Sequence, residues 1–120
     1  EYFFSYFSED QMNKEKNLNP VEFFEKIDEY PDSVLIDCRT VAEIRNSCLD
    51  FDLHLDLTGN SIVNVINSLD KTKPYFIYCR TGARSFYLGD YMSKLGFDKI
   101  FNLYDGILSV NREKVIFNKN

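Results

Sequence analysis

The sequence predicts an α/β domain with a mainly parallel sheet. Three observations carry this. Two short, unbroken apolar runs, Val34-Leu35-Ile36 and Tyr75-Phe76-Ile77-Tyr78, read as strands buried on both faces. Segments with helical spacing of apolar residues lie between and after them. The chain has 120 residues, enough for one domain with its own core and too few for two.

Taken in order, the elements are bounded by local chemistry. Residues 1–13 contain Tyr2-Phe3-Phe4 and Tyr6-Phe7, too apolar for a free tail. They read as an N-terminal aromatic arm packing on the domain, with a partner interface as the alternative. Residues 14–120 are assigned to the domain itself. Asn19-Pro20-Val21-Glu22 is a helix start: Asn caps, Pro suits the first turn, and Glu22 stands where a capping box needs it. Phe23, Phe24 and Ile27 form the apolar stripe, and Pro31 ends the helix. A strand follows over 33–37 and a short helix over 41–46. Residues 53–57 alternate and predict a half-covered strand. Thr58-Gly59-Asn60-Ser61 turns into a helix with Ile62, Val63, Val65, Ile66 and Leu69 inward. The strand at 75–78 leads into a helix over 83–95, with Gly96 as its C-terminal glycine. Residues 99–103 give a further strand and 106–112 a last helix.

Composition excludes several function classes. The net charge is −5 with no basic stripe, which argues against nucleic acid as a partner. No apolar run approaches the length of a membrane span. Cys38, Cys48 and Cys79 form no C-x-x-C pair, and His54 has no ligand-forming neighbours at metal spacing. Neither a disulfide framework nor a metal site is expected. A cytoplasmic location is favoured, while the start at Glu1 rather than Met leaves a removed leader open.

The chemistry concentrates at Cys79-Arg80-Thr81-Gly82-Ala83-Arg84-Ser85. Cys79 follows a buried strand and precedes a helix, at the sheet edge where parallel α/β folds bind ligands. Loop amides and a helix N-terminus favour an anion there. Arg80 and Arg84 add positive charge, and Gly82 allows the loop to turn its amides inward. These influences favour thiolate and predict a lowered pKa for Cys79.

The same residues resemble the active-site loop of rhodanese domains, the sulfurtransferases. Val34-Leu35-Ile36-Asp37-Cys38-Arg39 followed by Glu43 is similar to that family's early strand end and acidic residue. Asn102-Leu103-Tyr104-Asp105-Gly106-Ile107 is similar to its late strand–Gly–helix signature. The likeness runs from about Leu18 to the C-terminus. It departs at Ser47-Cys48-Leu49, Asp50-Phe51-Asp52, Asp105 and Val110, which bear on the rim more than on the sulfur cradle.

The resemblance implies a rhodanese-like fold, a central five-stranded sheet with helices on both faces. It also implies sulfur transfer through a persulfide on Cys79, from a small anionic donor such as thiosulfate to a thiol, cyanide or protein acceptor. That chemistry needs no metal or organic cofactor. Thr81, Gly82, Ala83 and Ser85 would belong to the substrate cradle with Arg80, which guides the donor. Arg84 either does likewise or pairs with an acid. Asp37, Arg39 and Glu43 would support the site, with Arg39 pairing to Glu43. Cys38 reads as a small buried residue, with resolution of the persulfide as the alternative.

Loop length separates the rival readings. Related phosphatases place an arginine six positions after the cysteine; here that position is Ser85, and Arg84 makes the loop C-x4-R. The tighter cradle suits one sulfur atom over a tetrahedral phosphate. A phosphatase or arsenate reductase remains the enzyme alternative. A non-catalytic module that binds a partner protein or relays sulfur to it remains the other.

Overall fold

Every strand of the sheet runs parallel to its neighbours, so each connection crosses over through a helix. The computed structural model describes residues 16–113. The aromatic arm expected over residues 1–13 lies outside them. In chain order the elements are β1 (Asn17–Leu18), α1 (Pro20–Glu29), β2 (Val34–Asp37), α2 (Val41–Asn46), β3 (Leu53–His54), α3 (Ile62–Ser68), β4 (Tyr75–Tyr78), α4 (Ala83–Lys94), β5 (Ile100–Leu103) and α5 (Gly106–Glu113). The five strands lie in the order β1-β5-β4-β2-β3.

Side chains on successive strand residues point to opposite faces, and this alternation builds two cores. Leu35, Phe76, Tyr78, Phe101 and Leu103 face α1 and α5, meeting Phe23, Phe24, Ile27, Ile107 and Val110. Ile36, Cys38, Tyr75, Ile77, Cys79 and Ile100 face the other way, meeting Ile66 of α3 and Leu88 and Met92 of α4. Phe76 stacks on Phe101 with centroids 4.7 Å apart, and Phe23 meets Phe76 edge-on at 5.3 Å. Burying a phenylalanine of this kind contributes roughly 1.5–3 kcal/mol. The expected five-stranded sheet with helices on both faces is therefore present, and the described strands are wholly parallel.

The capping residues act as the sequence requires. The Asn19 side chain accepts from the Glu22 amide at 2.9 Å while Glu22 accepts from the Asn19 amide at 3.0 Å. A second capping box, between Thr40 and Glu43, starts α2.

Two expectations need correction, and one strand has no counterpart among those read from the sequence. That strand, β1, has only two residues, Asn17 and Leu18, paired with Asn102 and Leu103. Such a stub beside a helix cap leaves no alternating pattern to read. The strand expected over 53–57 stops at His54. The Leu55 amide still donates to Asp37, but Asp56 then accepts from the Thr58 amide and hydroxyl and turns the chain. In α3 only Ile66 is fully buried, and Val63 is 48 % exposed. Ile62, Val65 and Leu69 pack partly buried against the same core, so of the residues expected inward only Val63 faces out.

Candidate active site

Cys79 sits immediately after β4, the strand flanked by β2 and β5. Its sulfur receives the Gly82 amide at 3.1 Å, the Ser85 hydroxyl at 3.3 Å and the Ser85 amide at 3.5 Å. Gly82 can supply its amide because φ is +97° there, a region costly to residues with a Cβ. A Cβ at this position would also lie 2.9 Å from the Asp105 amide nitrogen.

The loop is held from three sides. Asn102 on β5 donates through Nδ2 to the Gly82 carbonyl at 3.3 Å and to Asn17 Oδ1 at 2.9 Å. The start of α5 donates from the Ile107 amide to the Cys79 carbonyl at 2.9 Å, and from Leu108 to the Arg80 carbonyl at 3.2 Å. Gly106 permits that approach, since a Cβ there would overlap the Arg80 carbonyl. Thus the late Asp105-Gly106 turn and the early Cys79 loop form one structural unit.

The third side is Cys38. The ladder between β2 and β4 pairs Asp37 with Tyr78 and continues with the Cys38 amide donating to the Tyr78 carbonyl at 3.1 Å. Cys38 and Cys79 therefore end adjacent strands side by side on the same face. Both are fully buried and free, and the Cys38 thiol, which donates to the Tyr78 carbonyl at 3.5 Å, lies against the Cys79 sulfur.

That contact is the leading influence on Cys79. The Cys38 thiol lowers its pKa, burial opposes, and the Ser85 hydroxyl and amide and the Gly82 amide lower it further, to about 5. Cys38 moves the opposite way: the adjacent Cys79 sulfur and burial raise its pKa. One sulfur is poised as the anion and the other as the proton donor. The loop amides act as the sequence suggests, and neither Arg80 nor Arg84 is among the leading causes.

Arg84 instead meets Glu43, with Nη1 2.8 Å from Oε1 and Nη2 2.8 Å from Oε2. Glu43 is pulled down to about 2, first by Arg84. Arg39, expected to pair with Glu43, pairs with Asp37: its Nη2 is 2.8 Å from Asp37 Oδ2, and Nε lies within 3.2 Å of both carboxylate oxygens. The reason is local. Arg39 precedes the N-cap Thr40, so it is not on the helix, and its four-residue spacing from Glu43 places no side chains together. Arg39 also donates to the Ser47 carbonyl at 2.7 Å and lies over the Tyr78 ring. Tyr78 Oη accepts from the Leu49 amide at 3.0 Å, fixing the segment after α2.

The remaining residues singled out in the loop are exposed. Arg80 has an exposed side chain that makes no ion pair among the described residues. Thr81 and Ala83 are exposed, and with Gly82, Asn17, Asn102 and Tyr104 they line a cavity of about 310 Å³. Cys79 is not part of that lining. Among the described residues no cluster of His, Cys, Asp and Glu is placed to hold a metal, and no helix is long and apolar enough to cross a membrane.

The family model for the rhodanese-like domain matches residues 19–113. The chain belongs to the rhodanese-like domain family. A sulfurtransferase of Allochromatium vinosum is 33% identical over 78 residues, spanning 65% of this chain and 71% of that protein. The rhodanese-like domain superposes on a rhodanese-like domain protein of Staphylococcus aureus with a TM-score of 0.67 at 24% identity, covering 78% of this chain and 89% of the other. The polysulfide-sulfur transferase of Wolinella succinogenes matches with a TM-score of 0.66 at 26% identity, covering 82% of this chain and 74% of that one. Relatives of this rhodanese-like domain are thus named for sulfur transfer. Sequence reasoning reads Tyr78 and Cys38 as buried residues and Asn102 only as part of the late strand signature, and misses the part Tyr78 and Asn102 have in holding the site. Asn102 left one signal, a polar residue inside an apolar strand.

Proposed function

We propose that this rhodanese-like domain is a sulfurtransferase that carries sulfane sulfur as a persulfide on Cys79. The observation that carries the reading is the ring of donors, Gly82 N, Ser85 N and Ser85 Oγ, around one buried sulfur. Such donors stabilise a thiolate and the charge that develops beside it.

The thiolate of Cys79 attacks the outer sulfur of a donor such as thiosulfate or a polysulfide. The S–S bond of the donor breaks, sulfite or the shortened polysulfide leaves with the electron pair, and Cys79 carries the persulfide. A thiol or cyanide then takes the outer sulfur and restores the thiolate. Arg80, exposed beside the loop, attracts the anionic donor. Asp37 and Arg39 keep the ends of β2 and β4 in place, and Arg84 with Glu43 fastens the start of α4 to α2. Arg84 is committed to a carboxylate, which agrees with a cradle for sulfur rather than phosphate. Residues 14–120 form the sulfur-carrying unit in this reading.

The test is turnover of thiosulfate and cyanide to thiocyanate. Activity that is lost in Cys79→Ala supports the reading, and Cys79-dependent hydrolysis of an aryl phosphate without thiocyanate formation overturns it.

A further inference from the structure

The sulfurtransferase reading uses one buried sulfur and leaves its neighbour idle. Cys38 is 1 % exposed, free, and held beside Cys79 by bonds from both its amide and its thiol to the Tyr78 carbonyl, at 3.1 and 3.5 Å. Strands in a sheet lie about 4.7–4.9 Å apart, inside the Cα separation of about 4.4–6.8 Å that a disulfide needs. In-register residues of parallel strands point to the same face, and both cysteines are in the same core. Cys48 lies in the segment after α2 and is exposed.

Resting on the sulfurtransferase reading above, we propose that Cys38 is a second catalytic residue, a resolving thiol that converts the Cys79 persulfide into a Cys38–Cys79 disulfide and releases the sulfane sulfur as hydrosulfide. The Cys38 sulfur attacks Cys79 Sγ, and a bond forms between the two cysteine sulfurs. The S–S bond of the persulfide breaks. Its outer sulfur takes both bonding electrons and the Cys38 proton, and departs as HS⁻. The sulfane sulfur is reduced by two electrons and the cysteine pair is oxidised by two. A dithiol reductant, through two electrons and two protons, returns the pair to thiols.

The resting state prepares this step. Cys38 is kept protonated by the adjacent Cys79 sulfur and by burial, with its thiol donating to the Tyr78 carbonyl. Once Cys79 carries a persulfide, the negative charge moves to the outer sulfur and that restraint on Cys38 weakens. The chain can then hand sulfur to an outside acceptor or, when none arrives, discharge it as sulfide.

The wild-type chain and Cys38→Ser and Cys38→Ala are loaded with thiosulfate or polysulfide without oxygen, desalted, and left without acceptor. Intact mass, peptide mapping and released sulfide are followed. In the wild type, each persulfide lost should give one sulfide and one Cys38–Cys79 linked peptide, and dithiothreitol should restore the reduced mass. In both variants the persulfide should persist more than about a hundredfold longer, because only bimolecular attack remains. Serine keeps a hydroxyl donor beside Cys79, so failure of Cys38→Ser to discharge separates nucleophilic attack from hydrogen bonding. Equal persulfide lifetimes, or sulfide without the linked wild-type peptide, overturn the role of Cys38 alone. Absence of any sulfur uptake by all three chains overturns the sulfurtransferase reading and this inference with it.

Discussion

Arg84 and Glu43, 41 residues apart in the chain, meet through two parallel hydrogen bonds of 2.8 Å each. Glu43 also completes the capping box of α2, so one carboxylate joins the start of α4 to the start of α2. Its folded-state pKa is about 2, below the ordinary 4.5. A depressed carboxylate contributes stability above its unfolded pKa and loses it as pH falls through the folded value. Wild type should therefore lose stability relative to Glu43→Gln between about pH 5 and pH 2. With both side chains partly solvated, the differential is ~1 kcal/mol. Urea denaturation at several pH values checks it; parallel pH curves would mean the pair contributes nothing.

Asp37 and Arg39 form a different kind of pair, with side chains 0% and 3% exposed. Removing one partner leaves a buried charge unmatched, which costs about 3–5 kcal/mol. Arg39→Leu should lower the urea midpoint accordingly, while joint replacement of Asp37 and Arg39 by apolar residues should recover much of the loss. A single-variant cost under about 1 kcal/mol would contradict the buried, bidentate geometry.

Ser85 gives Cys79 both a hydroxyl and an amide. Ser85→Ala removes only the hydroxyl. A hydrogen bond to a charged group contributes ~1.5–3 kcal/mol, so the pKa of Cys79 should rise by about one to two. The rate of alkylation by a small reagent, followed on the Cys79 peptide against pH, should have its midpoint near 5 in the wild type and clearly higher in the variant. Coincident profiles would remove the hydroxyl from the account. Cys48 is exposed and will label as well, so peptide resolution is required.

Arg80 is exposed and makes no hydrogen bond to the Cys79 sulfur among the described residues; in the proposed reaction its charge acts on approach. Arg80→Ala should raise KM for thiosulfate by about fivefold, as expected for a solvent-screened contact, with little change in kcat and a smaller effect at high salt. An unchanged KM would make Arg80 a surface residue only.

These residues also show what could be read from sequence. The helix starts were legible because a cap and its return partner lie within four residues, as with Asn19 and Glu22. The two central strands were legible because both faces are covered and the apolar run is unbroken. Cys79 and Gly82 were legible because the chemistry is packed into seven consecutive residues. The pairing of Arg39 and Glu43 was misjudged because helical spacing was applied to a residue outside the helix. Arg84–Glu43, Asn102–Gly82 and Cys38–Cys79 unite residues far apart in the chain, and such contacts leave no periodic trace. Cys38 was read as core filling, which its burial bears out; its contact with the reactive sulfur follows only from strand register.

The central claim is that sulfur resides covalently on Cys79. Brief exposure to thiosulfate, followed at once by intact mass and peptide mapping under non-reducing conditions, tests it most directly. Cys38→Ser is the best sample, since it holds the persulfide without the neighbouring thiol. The account predicts one added sulfur atom on the peptide that contains Cys79, removed by cyanide with formation of thiocyanate, and no adduct when Cys79 is also replaced by Ser. Sulfur on Cys48, or a Cys79 peptide of unchanged mass while thiocyanate still forms, would contradict it.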